Sequence, residues 1–181
     1  TYYKVENLIF LSILAVGQAS TTFAGQNMGA GNYRRIRKGS IIMLCLGAGI
    51  TIVVAGLILL FPNVVFRWFM KDPDVIENAI SLAMVSFPFY WIYPAIEVFG
   101  GAIRSLGYSI TSMIVIIINL CVVRIGLLSF FSKTIHTMQS LAAVYPITWA
   151  TAAISFSVLF FIVIKKFIKK NEPNGLPKDI A

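Results

Sequence analysis

Charged residues are scarce in this chain: they make up 12% of its 181 residues, about half the share of a typical soluble domain. The only two cysteines, Cys45 and Cys121, both lie inside long apolar runs. Neither a disulfide framework nor a zinc ribbon is therefore available. A water-soluble enzyme is close to excluded.

Motifs for soluble chemistry are also missing. The glycine-rich stretch at 25–31 lacks the Gly-Lys-Ser/Thr ending of a phosphate loop and follows an apolar helix rather than a strand. His136 is the only histidine, and a Ser-His-acid site with Ser132 would need Asp72 or Asp74 from another loop. The net charge of +8 does not indicate a nucleic-acid partner, because most basic residues lie between apolar runs rather than over a polar face. We therefore expect neither an enzyme nor a nucleic-acid-binding protein.

Apolar residues, in contrast, make up 58% of the chain. They form five predominantly apolar runs of roughly twenty residues or more, each long enough at ~1.5 Å per residue to cross ~30 Å of hydrocarbon as a helix. A helix satisfies its backbone groups internally, and none of these runs alternates like a barrel strand. We predict an all-α, polytopic integral membrane bundle of five transmembrane helices, at about 8–25, 40–61, 79–103, 108–131 and 140–164, followed by a cytoplasmic tail at 171–181.

The basic residues are divided unequally between the two sides of this bundle. Ten lie on one side, namely Arg34, Arg35, Arg37, Lys38, Arg104, Lys165, Lys166, Lys169, Lys170 and Lys178. Four lie on the other side, namely Lys4, Arg67, Lys71 and Lys133. Because cytoplasmic loops are enriched in Lys and Arg, this predicts an outer N-terminus and a cytoplasmic C-terminus in a plasma (inner) membrane.

The outer connection before the third helix contains its own start signal. Asp72 is placed as the N-cap and Pro73 as the first helical residue. The apolar and aromatic stretch at 62–71 that precedes them is typical of an interfacial segment.

Glu97 is the only acidic residue within the predicted spans. It lies on a stripe of small, hydroxylated and charged side chains, which must face other helices or a water-filled cavity. The carboxyl is suited to exchanging a proton against a cation, and the alternative is a structural pair with Arg104 two turns away. Pro88 and Pro94 make this span a candidate for bending. The stripe comprises Ala83, Ser86, Tyr90, Tyr93, Glu97, Gly100, Gly101 and Arg104.

Two arginines accompany this acid. Arg104 lies at the predicted cytoplasmic boundary, where its side chain can snorkel to water, and this favours a structural role. Arg124 lies ~14 Å from Glu97 in depth if the helices are straight, too far for a direct ion pair. We expect its partner to be a carbonyl freed by a proline, an acid outside this chain or the outer headgroups, and its role to be structural.

Other polar and aromatic residues in the spans allow two interpretations each. Gln18 and Asn119 line a cavity or form hydrogen bonds between helices. Tyr90 and Tyr93 present aromatic faces to a cation or belong to the core.

Four short stretches of the chain carry a family signature. They are Gly25–Arg35 (GQNMGAGNYRR), Gly101–Gly107 (GAIRSLG), Cys121–Ile125 (CVVRI) and Val144–Trp149 (VYPITW). In this order and spacing they resemble the multidrug and toxic compound extrusion (MATE) family, in which a segment similar to the first joins the eighth and ninth of twelve helices. The resemblance implies that residues 1–170 form part of the C-terminal lobe, helices eight to twelve. It also implies structural or gating roles for Gln26, Asn27, Gly29, Gly31, Arg104 and Arg124.

The resemblance further implies secondary active efflux by two six-helix lobes, which expose a central cavity alternately inward and outward. Amphipathic, cationic, drug-like compounds would be exported by antiport with Na⁺ or H⁺, without a cofactor. Family members with a cation site in the C-terminal lobe use acids on the seventh and tenth helices. Glu97 lies on the tenth, while Tyr93 stands where some branches carry the acid. Glu97 is thus the expected coupling residue and Na⁺ site, with Tyr90, Tyr93, Gln18 and Asn119 lining the cavity.

We expect the chain to be part of a longer transporter, because five spans that start outside match only helices eight to twelve. Its partners would then be membrane lipid, a drug-like substrate and the N-terminal lobe of the same transporter. Two alternatives stay open: a lipid-linked glycan flippase of the same superfamily, and a non-transporting truncated membrane protein.

Overall fold

A computed structural model describes residues 2–69, 71–134 and 138–171, and within these ranges the chain is helical without strands. The α-helices in chain order are α1 Tyr2–Gly29, α2 Tyr33–Leu60, α3 Pro62–Phe69, α4 Pro73–Ser86, α5 Tyr93–Ser105, α6 Ser109–Ile116, α7 Arg124–Thr134 and α8 Met138–Asn171. A 3-10 segment at Phe87–Ile92 joins α4 to α5, and a π-helical segment at Ile117–Val123 joins α6 to α7.

Five helical stretches of the described chain are long and apolar enough to cross a membrane. They are the first to fifth spans, at Tyr3–Gly29, Tyr33–Leu60, Pro73–Ser105, Ser109–Ser132 and Ala143–Asn171. The predicted all-α bundle with five spans is therefore confirmed.

The first span is longer at its N-terminal end than predicted. It begins at Tyr3, five residues before its predicted start, and so includes Glu6. The prediction that Glu97 is the only acidic residue within a span is therefore wrong. The hydropathy pattern starts the span only after Glu6, because a charged residue counts as hydrophilic. In the structure a hydrogen bond from Tyr90 accommodates this carboxylate against the bundle.

The connection between the second and third spans has the predicted start signal. The Asp72 carboxylate accepts a hydrogen bond from the Asp74 N–H at 3.1 Å, and Pro73 is the first residue of α4. The preceding stretch forms the short helix α3, which buries Phe66 and leaves Trp68 exposed. His136 and the tail residues 172–181 lie outside the described part of the chain.

Helix α5 is the centre of the bundle and packs against α1, α2 and α8. Its approach to α1 is close because both helices carry small residues at the interface. A Cβ atom added to Gly101 would lie 3.0 Å from the carbonyl oxygen of Gly17. The Ser20 hydroxyl of α1 donates a 3.0 Å hydrogen bond to the Val98 carbonyl of α5. Small residues and interhelical hydrogen bonds are the usual means of association in lipid.

The two proline positions of the third span change its helical geometry. The 3-10 segment follows Ser86 directly, contains Pro88 and ends just before Pro94. Proline cannot donate the backbone hydrogen bond of a regular turn, which explains a tighter segment at this place. The prolines made this span a candidate for bending, and at this place the helix changes from α to 3-10 geometry.

Candidate functional site

Polar side chains line up along the interface between α1 and the third span. We name Glu6, Tyr90, Tyr93, Glu97 and Arg104 the polar column. Contacts of α1 with the third span advance in the same direction along both helices, so that the first and third spans run parallel. The interior-facing stripe predicted for the third span is thus directed at α1.

The Glu6 end of the polar column joins α1 to the 3-10 segment. The Tyr90 hydroxyl donates a hydrogen bond to the Glu6 carboxylate, and the Tyr90 side chain is fully buried. A buried tyrosine hydroxyl requires such a partner. Glu6 itself is only partly exposed, so the bundle covers part of its side chain.

Tyr93 lies in the middle of the polar column. Its ring packs edge to face against Phe10, with centroids 4.9 Å apart, and against Trp149 at 5.7 Å. The same Trp149 ring packs against Tyr90 with centroids 4.6 Å apart, so the two tyrosines of the polar column share one aromatic neighbour.

Glu97 packs directly on the α1 backbone. A Cβ atom added to Gly17 would lie 2.8 Å from the Glu97 Cβ, so glycine is the residue that admits this carboxyl. One carboxylate oxygen lies 3.9 Å from Nη2 of Arg104, and the side chains are 22% and 37% exposed. The predicted pairing of Glu97 with Arg104 is therefore observed, but at a separation too long for a hydrogen bond. Arg104 turns back across Gly100 to reach this position.

Arg124 has partners on α8. Its Nη2 and Nε atoms donate to the Thr148 hydroxyl at 2.9 and 3.3 Å, and its Cζ atom lies 4.8 Å from the Tyr145 ring centroid. The Trp149 ring, 6.2 Å from Tyr145 and 4.6 Å from Tyr90, connects this group to the polar column. The sequence did not indicate these partners, because the hydroxyl and the ring come from another helix of the same chain.

Asn119 also faces α8. Its amide donates to the Val115 carbonyl at 2.9 Å and to the Ser155 hydroxyl at 3.4 Å. Asn119 and Arg124 are five residues apart, and a π-helix joins residues five apart by hydrogen bonds. The π-helical segment thus turns both side chains toward α8, where a regular α-helix of 3.6 residues per turn would separate them.

The remaining predicted cavity residue, Gln18, is exposed on α1, next in sequence to Gly17. Across the described residues, no three His, Cys, Asp or Glu side chains come together as a metal site. The acids of the polar column are instead spaced singly along it.

A family model described as MatE matches residues 2–131 of the chain. The chain belongs to the MatE family.

Several curated relatives of this MatE chain are named for multidrug resistance or extrusion. The chain is 29% identical over 124 residues to "Probable multidrug resistance protein NorM" of Pasteurella multocida, a match that covers 68% of the chain and 26% of that protein. It is 26% identical over 106 residues to "Multidrug and toxin extrusion protein 1" of Danio rerio, covering 58% of the chain and 18% of that protein. The chain thus spans about a quarter or less of the length of these relatives.

Solved structures with the same fold cover almost the whole chain. One, described as "Crystal structure of MATE in complex with MaL6", superposes with a TM-score of 0.86 at 19% identity and covers 93% of the chain and 38% of that structure. A second, described as an inward-facing multidrug resistance MATE family transporter, gives a TM-score of 0.82 at 18% identity, covering 93% of the chain and 39% of that structure. The MatE chain therefore has the fold of part of a MATE transporter and is a multi-pass membrane protein.

The first MatE sequence stretch ends α1 in a Schellman turn. The Asn32 N–H donates to the Asn27 carbonyl at 2.8 Å, and the Gly31 N–H donates to the Met28 carbonyl at 3.0 Å. Gly31 has φ 73°, which explains why glycine stands there. The Asn27 side chain donates to the Phe23 carbonyl at 2.8 Å, while Gln26 and Gly29 are exposed.

The second stretch ends α5 in the same way. The Tyr108 N–H donates to the Ile103 carbonyl at 3.2 Å, and the N–H of Gly107, at φ 87°, donates to the Arg104 carbonyl at 3.1 Å. Ser105 donates its hydroxyl to the Thr21 carbonyl of α1 at 2.7 Å. This hydrogen bond adds a contact between α1 and α5 beside the turn.

Sequence reasoning missed Glu6, the second carboxylate of the polar column. Its only signal was an acid two residues before an apolar run, which is ordinary at a helix end. The partner that gives it meaning, Tyr90, lies 84 residues away in sequence.

Proposed function

We propose that this chain forms part of the C-terminal lobe of a secondary active exporter, which moves amphipathic, cationic, drug-like compounds out of the cell by antiport with Na⁺ or H⁺. Membership of the MatE family and relatives named as multidrug resistance proteins support this proposal. The chain would act with an N-terminal lobe of the same transporter, in the plasma (inner) membrane, with its C-terminus in the cytoplasm.

The observation that carries the proposal is the loose ionic contact of Glu97. A carboxylate in a membrane span needs a cation or a proton to offset the loss of water. The nearest guanidinium atom, Arg104 Nη2, lies 3.9 Å away and forms no hydrogen bond with the carboxylate oxygen. Glu97 is therefore available to take up Na⁺ or H⁺, and we assign the coupling role to it.

Glu6 and the two tyrosines extend this site outward. Glu6 is joined to this group through the hydrogen bond from Tyr90, whose ring packs on Trp149 as the Tyr93 ring does. The partly exposed ring of Tyr93, one helical turn from Glu97, provides a π-face on this side of the helix, and such faces favour cations. We assign to this group the ion-coupled step and contact with a cationic substrate.

The other predicted residues receive separate roles. Gln18, which is exposed on α1, remains a candidate for the cavity between the lobes. Asn119 and Arg124 hold the fourth span against α8 through Ser155 and Thr148. The turn that contains Gly31 would fix the α1–α2 connection and so serve a structural or gating role.

The test uses the complete transporter that contains this chain, reconstituted in vesicles, with export of a fluorescent cationic dye measured under an imposed Na⁺ or H⁺ gradient. Coupling energies between ligands span roughly 5- to 150-fold in affinity, and we expect Glu97→Gln to lower gradient-driven export by a factor in that range. Glu6→Gln should lower it in the same direction. The control is Glu77→Gln, which removes an exposed acid of the same span and should retain export.

Wild-type export in the Glu97→Gln variant, with unchanged ion dependence, would refute the coupling role. Equal losses in Glu97→Gln and Glu77→Gln would attribute the effect to net charge rather than to the polar column.

A further inference from the structure

One end of the bundle brings the start of α2 beside the end of α8. The Tyr33 and Phe167 rings stack with centroids 5.3 Å apart, and Tyr108 at the start of α6 packs edge to face on Phe167 at 6.3 Å. This aromatic group fixes the relative position of the two helices. We name this end, which carries the larger share of Lys and Arg, the basic end.

Two adjoining cavities lie between α2 and α8 at the basic end. One, of about 510 Å³, is lined by Arg34, Arg37, Lys38, Ile41 and Ile168. The other, of about 310 Å³, is lined by Arg37, Phe161, Ile164, Lys165 and Ile168. Because they share Arg37 and Ile168, we treat them as one feature, the basic groove. Its described lining residues include no acid.

Charge and apolar surface are separated along the groove. Helix α2 runs from the basic end into the membrane, so Ile41 lies one turn deeper than Arg37. Helix α8 runs toward the basic end, so Phe161 lies one turn deeper than Lys165. Ile41 and Phe161 are 38% and 39% exposed, so both remain available for contact. The Arg37 guanidinium carbon lies 5.8 Å from the Phe161 ring centroid, at the junction of the two zones.

We propose that the basic groove binds an anionic phospholipid, with its phosphate between Arg37 and Lys165 and its acyl chains along Ile41 and Phe161. A cationic rim next to apolar sides of membrane-length helices matches a phosphate joined to hydrocarbon, and basic pockets between such helices attract anionic headgroups. A free phosphate would use the cations but leave the apolar wall unused. The site is independent of the transport function proposed above.

The test extracts the protein from bilayers that contain equal amounts of phosphatidylglycerol and phosphatidylcholine. Native mass spectrometry then measures how much of each lipid stays bound. Each basic residue near a membrane surface contributes a factor of roughly five in binding of anionic lipid. Arg37→Gln/Lys165→Gln should therefore lower retention of phosphatidylglycerol about thirtyfold relative to wild type. The matched control is Arg35→Gln/Lys166→Gln, which removes two exposed charges from neighbouring positions that do not line the groove. It should retain the lipid.

A second variant tests the apolar wall. Ile41→Ser removes apolar surface one turn deeper than Arg37 and should lower phosphatidylglycerol retention without changing the charge. Equal losses in the two Arg/Lys double variants would overturn the proposal in favour of diffuse attraction to the basic end. Unchanged retention in Ile41→Ser, or displacement of the lipid by excess inorganic phosphate, would overturn it in favour of a simple anion site.

Discussion

At the scale of single residues, Gly17 determines where the Glu97 carboxyl can lie. The absence of a side chain at position 17 lets α1 contact the Glu97 Cβ directly, so the α1 backbone covers one side of the acid. The other side faces Arg104 at 3.9 Å. A carboxyl confined in this way presents its oxygens in a fixed direction, which is a requirement for a selective ion site.

Gly17→Ala should therefore destabilise the bundle. The added Cβ atom would lie 2.8 Å from the Glu97 Cβ, and overpacking of this kind costs about 1–3 kcal/mol. The free energy of unfolding can be measured by denaturation of the protein in mixed micelles. The matched control is Gly49→Ala in α2, where an added Cβ atom meets nothing within 4 Å. Alanine there should leave stability unchanged or raise it by up to about 1 kcal/mol. Equal effects of the two substitutions would contradict the proposed contact.

The polar column contains two side-chain pairs, Glu97 with Arg104 and Glu6 with Tyr90. Only the first pair could be predicted from the sequence. The first pair lies seven residues apart on one helix, so helical periodicity was sufficient. The second joins residues 84 positions apart and depends on how α1 packs against the 3-10 segment. Periodicity carries no information on such packing, which explains why Glu6, one of the five residues of the polar column, was found only in the structure.

At the scale of elements, the two connections at the basic end use the same device. Both α1 and α5 end in Schellman turns with glycine at positive φ, 73° at Gly31 and 87° at Gly107. The turns return the chain into the membrane within a few residues and satisfy carbonyls at the helix ends. The glycine-rich family stretches thus have a conformational cause that is independent of any transported compound.

Alanine at either turn glycine should be unfavourable. A left-handed conformation costs roughly 1–2 kcal/mol for a residue with a Cβ atom, so Gly31→Ala and Gly107→Ala should each lower unfolding stability by about that amount. Thermal unfolding in detergent measures the effect. Gly126→Ala in α7 is the control, because this glycine is helical and an added Cβ atom meets nothing within 4 Å. A Gly107→Ala variant as stable as wild type would show that the turn tolerates another conformation.

The two irregular segments also differ in their sequence signals. Pro88 and Pro94 predicted an interruption of the third span, because proline removes a backbone donor. No such residue marks the π-helical segment at Ile117–Val123. Its geometry follows from contacts of Asn119 and Arg124 with α8, and tertiary contacts of this kind leave no local pattern.

At the scale of the whole molecule, the bilayer explains why the architecture could be predicted from sequence. A segment in hydrocarbon must satisfy its own backbone groups, so apolar length alone indicates a spanning helix. Five such helices were predicted and five are observed in the described chain. The unequal division of basic residues between the two sides predicts one further property, the direction in which the chain is inserted.

The direction can be tested with single cysteines on a background in which Cys45 and Cys121 are replaced by alanine. Both native cysteines are exposed within spans, so their removal leaves the buried core unchanged. Asn63→Cys in α3 and Lys170→Cys at the end of α8 then place one exposed thiol at each end of the bundle. The sequence assigns ten basic residues to the side on which α8 ends and four to the opposite side. We therefore expect a membrane-impermeant maleimide to label Asn63→Cys in intact cells. Lys170→Cys should be labelled only after permeabilisation. The reverse pattern would invert the assignment, and labelling of both thiols in intact cells would show that the charge difference does not fix one orientation.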